Sequence, residues 1–162
     1  MLNQLRDLIQ YQEWADSQFF HQWLQANDAH THEDLRRRAS HIVMVQKLFL
    51  DLLENQEARF PDKNAPLPEM RDLRDRSIKI HERWKNSISE LQLDRLQEQI
   101  KVPFFGNPDF AIKIEEAILQ VLLHTQHHRG QNMELLNRIG SKTPIVDWIL
   151  WILKGKPQAD WA

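Results

Sequence analysis

The sequence predicts an all-α fold: a four-helix bundle with a short hairpin-like excursion before helix four and a short C-terminal helix. Two observations lead there. Apolar residues recur at three- and four-residue spacing over four long stretches, with polar residues between them. The breaks between stretches carry turn chemistry, and four helices of about 24 residues, each ~36 Å long, pack most naturally as a bundle. At 162 residues with 41% hydrophobic residues, the chain can bury a core of its own, so residues 1–162 read as a single domain.

Helix one runs from Leu2 to about Gln25 on Leu5, Leu8, Ala15, Phe19 and Trp23. Thr31, with Asp34 three residues on, resembles a capping box and opens helix two, whose apolar face (Leu35, Ile42, Val45, Leu48, Phe49, Leu52) continues to about Glu54. Three prolines between Phe60 and Pro68 mark a connection long enough to cross a bundle end. Helix three spans about Pro68 to Leu91 on Met70, Leu73, Ile80, Trp84, Ile88 and Leu91. From 99 to 113, Ile100, Val102 and Phe104 alternate with their neighbours. Gly106-Asn107-Pro108-Asp109 reads as a turn there, and Phe110 and Ile112 alternate again. Helix four extends from about Lys113 to Ile139 with Gly140 as its C-cap, and Thr143-Pro144 opens the last helix, which ends near Leu153. Gly130, in mid-helix, points to a close helix–helix approach.

Composition excludes whole classes of chemistry. There is no cysteine, hence no disulfide, thiolate zinc site, iron–sulfur cluster or cysteine nucleophile. The four glycines form no G-x-G pair, which removes the dinucleotide fingerprint and the P-loop. With 23 acidic and 21 basic residues, the net charge of −2 supplies no field for nucleic acid, and Arg36-Arg37-Arg38 reads as a solvated helix face. No signal peptide and no apolar run of bilayer-spanning length is visible, so the expected location is the cytoplasm, with no membrane partner.

Eight histidines remain to be placed. On helix four the inward stripe reads Ile114, Ala117, Val121, His124, His128, Gln131 and Leu135, so two imidazoles at i and i+4 interrupt an apolar seam. That spacing lets two rings converge on one ion. On helix two His41 falls on the stripe with Val45, Leu48 and Leu52. One buried imidazole is ordinarily a hydrogen-bonded core residue, but three on one seam are satisfied together by a single divalent ion, which favours a His41/His124/His128 site. His81 is the reserve for His41, His127 points off the seam, and His21, His30 and His32 are expected at the surface. Gln12 interrupts the helix-one stripe beside Tyr11 and near Trp14, as an amide bonded to a neighbouring helix or a group orienting a substrate above the metal. Arg129 points away from the seam as an ion-pair or dimer residue; the six tryptophans read mostly as core, with Trp148 and Trp151 the ones with some claim to a dimer surface or a lid.

The segment Leu122-Leu-His124-Thr-Gln-His-His128-Arg-Gly-Gln131 resembles the H-x-x-x-H-R-G-Q signature of the DinB-like family of four-helix-bundle proteins. Tyr11-Gln-Glu-Trp14-Ala15, Ser40-His41-Ile42 with Leu48-Phe49, and Thr143-Pro144-Ile-Val-Asp147-Trp148 are similar to its helix-one, helix-two and C-terminal motifs. The resemblance implies an up-down-down-up bundle, usually a homodimer, holding a divalent ion on His41, His124 and His128. It also implies an affinity with metal-dependent transferases and isomerases that use bacillithiol, mycothiol or glutathione.

Three neutral imidazoles leave a divalent ion its full charge and an open position, the arrangement of catalytic sites. Zinc or nickel is the expected ion, with iron, copper or manganese also suited to the ligands. Two uses follow: hydroxide delivered to an ester or amide, or a low-molecular-weight thiol held as thiolate for attack on a small-molecule electrophile. Thr125, Gln126 and His127 stand between the two helix-four ligands, so the glutamate base of H-E-x-x-H proteases is missing and the thiol transferase is favoured. A non-catalytic metal-binding module is the opposing class.

Overall fold

The computed structural model describes residues 2–26, 29 and 31–162. Four long helices carry the fold: α1 (Leu2–Gln25), α2 (Glu33–Leu53), α3 (Met70–Glu90) and α4 (Ile114–Arg138). Two three-residue strands, β1 (Gln99–Lys101) and β2 (Ala111–Lys113), separate α3 from α4, and α5 (Trp148–Leu153) follows. His30 lies outside the described residues.

Side-chain pairings fix the helix directions. On α2 and α3, Arg36 reaches the Pro68 carbonyl while Glu54 meets Arg83 and Ser87, so the two helices run parallel. Arg6 bonds the Ile88 carbonyl and Asp16 bonds His81, so α1 opposes α3; Asp16 with Arg129 and Gln22 with Ser141 set α1 parallel to α4. The order is therefore up-down-down-up. The parallel α2–α3 pair requires the long crossover at 54–69, which explains its prolines. Each of α1 and α2 packs on both α3 and α4, leaving α1 and α2 diagonal across the bundle.

The core is built from the predicted stripes. Trp23, Trp84 and Trp151 are fully buried, and each indole N–H donates to a carbonyl: Trp23 to Ala29 at 2.7 Å, Trp84 to Gln46 at 3.2 Å and Trp151 to Pro157 at 3.0 Å. Each such ring removes roughly 150–250 Å² from water while leaving no orphaned donor. The hairpin pairs Gln99 with Lys113, Ile100 with Ile112 and Lys101 with Ala111, antiparallel, and Gly106 turns the chain with φ 74°, a backbone region that disfavours side chains. The Lys113 backbone N–H donates to Glu116 at 2.8 Å, capping α4.

Several local expectations are corrected. The residue preceding α2 is His32, with no side-chain cap, so Thr31 and Asp34 form no capping box; Glu33 and Asp34 stabilise the first turn by charge instead. Pro144 does not open the last helix, which begins at Trp148 after Asp147. Gly130 marks no close approach: it lies on the exposed face, and a Cβ there would meet nothing within 4 Å. The Arg36–Arg38 run is not uniformly solvated. Arg36 clamps α2 to the Leu67 and Pro68 carbonyls and to Glu69, and Arg38 bonds the Gln131 carbonyl of α4. No helix among the described residues is long and apolar enough to cross a membrane.

Candidate metal centre

The antiparallel packing of α2 on α4 brings His41 opposite His124, and the i, i+4 spacing brings His128 onto the same face. The Nε2 atoms of His41 and His124 are 3.1 Å apart, and one ring nitrogen from each of the three histidines falls within 4.8 Å of the other two. Ring centroids are separated by 4.9 Å (His41–His124), 5.0 Å (His41–His128) and 4.5 Å (His124–His128). His128 Nδ1 is 2.7 Å from Gln131 Oε1, so its N–H donates there and its Nε2 lone pair is left for another partner.

The electrostatics favour neutral rings. Burial, and then the neighbouring His128, hold His41 below the usual imidazole range. Burial, followed by His128, His41 and His127, pushes His124 down to about 4. Three converging imidazole nitrogens, two of them on rings that resist protonation, are the donor set a divalent cation takes, and ligand nitrogens about 2.0–2.1 Å from one ion sit close to the spacing seen between His41 and His124. The described residues therefore hold a cluster able to bind a metal ion.

The histidines are less deeply placed than the sequence stripe requires. The buried face of α4 runs through Ile114, Ile118, Val121, Thr125, Arg129, Asn132 and Leu136, one residue beyond His124 and His128, and all three ligand candidates keep some solvent contact. Thr125 and Arg129, the residues immediately after the two histidines, point inward in their place.

Arg129 belongs to a buried polar cluster that the sequence reading missed. It is 2% exposed, and its Nη1 donates to Asp16 Oδ1 at 2.6 Å. Asp16 Oδ2 accepts from His81 Nε2 at 3.0 Å and from Gln46 Nε2 at 3.0 Å, and Gln46 also reaches Thr125 Oγ1 at 3.3 Å. All four long helices meet in this cluster. Burial alone would raise the Asp16 pKa, but Arg129 and His81 hold its carboxyl below the usual range. His81 is thus engaged by Asp16 and is not brought to the other three histidines. The available signal was an acid on an apolar line: Ile9, Asp16 and Trp23 are spaced by seven and all are buried.

Of the other candidates, Gln131 is brought to the cluster through His128. No hydrogen bond among the described residues joins Tyr11, Gln12 or Trp14 to the three histidines. The Tyr11 hydroxyl donates to the Val146 carbonyl at 2.6 Å, and Tyr11 and Trp14 pack with Ala15, Val146 and Trp151 in a second apolar cluster that docks the C-terminal segment. Gln12 is buried, and its Nε2 has no partner among the described residues. Trp151 is fully buried there and is neither lid nor free surface, while Trp148 is half-buried; Ile145, Ile149, Ile152 and Leu153 are exposed large apolar residues of that segment. His127 is exposed and His32 half-buried; exposed His21 bonds the Ala162 carbonyl at 3.1 Å and Gln25 at 2.7 Å.

The model of the DinB superfamily matches residues 24–132, more than half of the chain, a span that contains His41, His124, His128 and Gln131. The Tyr11–Ala15 and Thr143–Trp148 stretches fall outside it. No curated protein matches the chain.

Proposed function

Since the chain belongs to the DinB superfamily, we propose that it binds a divalent metal ion through His41, His124 and His128. In this reading it uses the ion to activate a low-molecular-weight thiol toward an electrophilic small molecule. The observation that carries the proposal is the convergence of three imidazoles on one point, with no carboxylate among them in the described residues. A bound divalent ion of zinc or nickel type lowers the pKa of a thiol and so raises the thiolate fraction at neutral pH.

The chain's own residues do the rest. His41, His124 and His128 supply lone pairs, and the depressed proton affinity of His41 and His124 keeps those two available at neutral pH. Gln131 orients His128 through the Nδ1–H bond. No carboxylate joins the cluster among the described residues: of the two buried acids of helix one, Asp16 is committed to Arg129, His81 and Gln46, and Glu13 is paired with Lys85. That arrangement supports thiol transfer over hydrolysis, in which a base must take a proton from water. The exposed Ile145, Ile149, Ile152 and Leu153 support association with a second copy, which a solution mass of twice that of the chain would establish.

The direct test is conjugation of an electrophilic reporter with a panel of thiols, with and without metal. Acceleration that needs both the metal and one class of thiol supports the transferase. Metal-dependent ester cleavage without thiol would replace it with the hydrolase, and no acceleration in either assay would leave a metal-binding module.

A further inference from the structure

The groove between α2 and α4 does not end at the three histidines. Along α4, Gln120 and Glu116 continue the line of His128 and His124 toward the helix start, each step about 6 Å. Along antiparallel α2, Phe49 stands about two turns past His41. At that level the hairpin packs on both helices, β1 on α2 and β2 on α4, beside an open cavity of about 460 Å³. Its wall is Phe49, Phe105, Phe110 and Ile112, and its polar edge is Asn107, Glu116 and Gln120.

Size, lining and charge specify an occupant. The volume lies in the range of small-molecule sites, roughly 300–1,000 Å³. Phe105 and Phe110 meet edge to face at 6.2 Å yet remain 67% and 40% exposed, an unusual state for large aromatic side chains that face a common cavity. Among the described residues no lysine, arginine or histidine lines the cavity, and the one carboxylate that does, on Glu116, accepts the Lys113 N–H. An anionic group therefore finds no counter-charge, whereas a neutral aromatic body gains apolar contact and two amides to bond at its edge.

We infer that this cavity receives the neutral aromatic or apolar body of the electrophilic substrate, with its near edge at Gln120 about one helical turn from His124 and its far wall at Phe49 about two turns from His41. The inference rests on the metal-centre reading above, because it is the metal that gives the neighbouring cavity a reacting partner.

The neutral fluorophore N-phenyl-1-naphthylamine, titrated into the full-length protein, tests it. Saturable binding is expected, weakened about tenfold or more by the double substitution Phe105→Ala/Phe110→Ala. Both side chains are exposed, so the fold should survive. Ile149→Ala/Leu153→Ala, on the other apolar surface, should leave binding unchanged. Cobalt(II) loaded on the protein should broaden the NMR lines of the bound probe. Absence of saturable binding, binding indifferent to the phenylalanine pair, or unbroadened probe lines on cobalt-loaded protein would overturn the inference. Direct metal titration separates the two readings: metal bound with the probe elsewhere sinks the cavity alone, whereas probe bound in the cavity with no metal uptake sinks the metal centre and with it the substrate role.

Discussion

His128 Nδ1 lies 2.7 Å from Gln131 Oε1, three residues further along the same helix. The bond selects one tautomer and one ring orientation, so the His128 Nε2 lone pair is presented to the other two histidines before any ion arrives. Gln131→Ala should weaken metal affinity by about 10- to 100-fold with little change in unfolding midpoint, and Gln131→Glu, which keeps an acceptor, should restore most of it. Calorimetric metal titration checks this. Equal affinities for all three proteins would remove Gln131 from any positioning role.

The buried Asp16–Arg129 pair is costly to break from one side. Asp16→Asn leaves the Arg129 guanidinium without a counter-charge, and Arg129→Met does the same to the carboxylate, each at a cost of about 3–5 kcal/mol. The double variant Asp16→Asn/Arg129→Met removes both charges while keeping an oxygen for His81 and Gln46, and should lose much less than the sum of the singles. Denaturant unfolding of the four proteins gives the coupling. Simple additivity would show that the pair does not act as a unit.

The depressed histidines set a pH window. In the unfolded chain His124 takes up its proton near 6.5, but in the folded protein not until about 4, so between these values the unfolded state binds more protons. The stability that His124 contributes is present above pH 6.5 and is lost as pH falls toward 4; His41 acts in the same direction. Metal-free protein should therefore have a lower urea midpoint at pH 5 than at pH 7, with part of the difference absent in His124→Gln. A midpoint that is flat or rises on acidification contradicts the placement of these rings.

Much of this arrangement is legible in the sequence, and the exceptions share a cause. Helix bounds fall within a few residues of their predicted positions, except for α5, because apolar spacing is set by the same burial that forms the bundle. The hairpin was readable from Gly106 and the alternation around it. His41, His124 and His128 were singled out because imidazoles interrupt apolar stripes. Asp16, Gln46 and Thr125 were not, because a buried polar residue bonded to a partner on another helix has no local signature. Arg129 shows the difficulty: its ion pair was expected, its burial was not, since charged residues are assigned to the surface unless the partner is known.

Tyr11 ties the C-terminal segment to α1 through one short hydrogen bond to the Val146 carbonyl, made within an aromatic group that includes Trp148, 5.2 Å away edge to face. Tyr11→Phe keeps the ring and removes the bond, and should cost about 1 kcal/mol. Faster amide exchange is expected around 146–153 and not in α2 or α3. Uniform acceleration throughout the protein would mean that the segment is not anchored at this point.

The account stands on one shared ion at His41, His124 and His128. Elemental analysis of the purified protein beside His41→Ala, His124→Ala and His128→Ala, with His81→Ala as the buried control, tests it most directly. One divalent ion per chain is predicted for wild type and His81→Ala, falling to a small fraction in each of the other three. Full occupancy retained by those three variants, or a wild type that takes up no metal from a saturating solution, would contradict it.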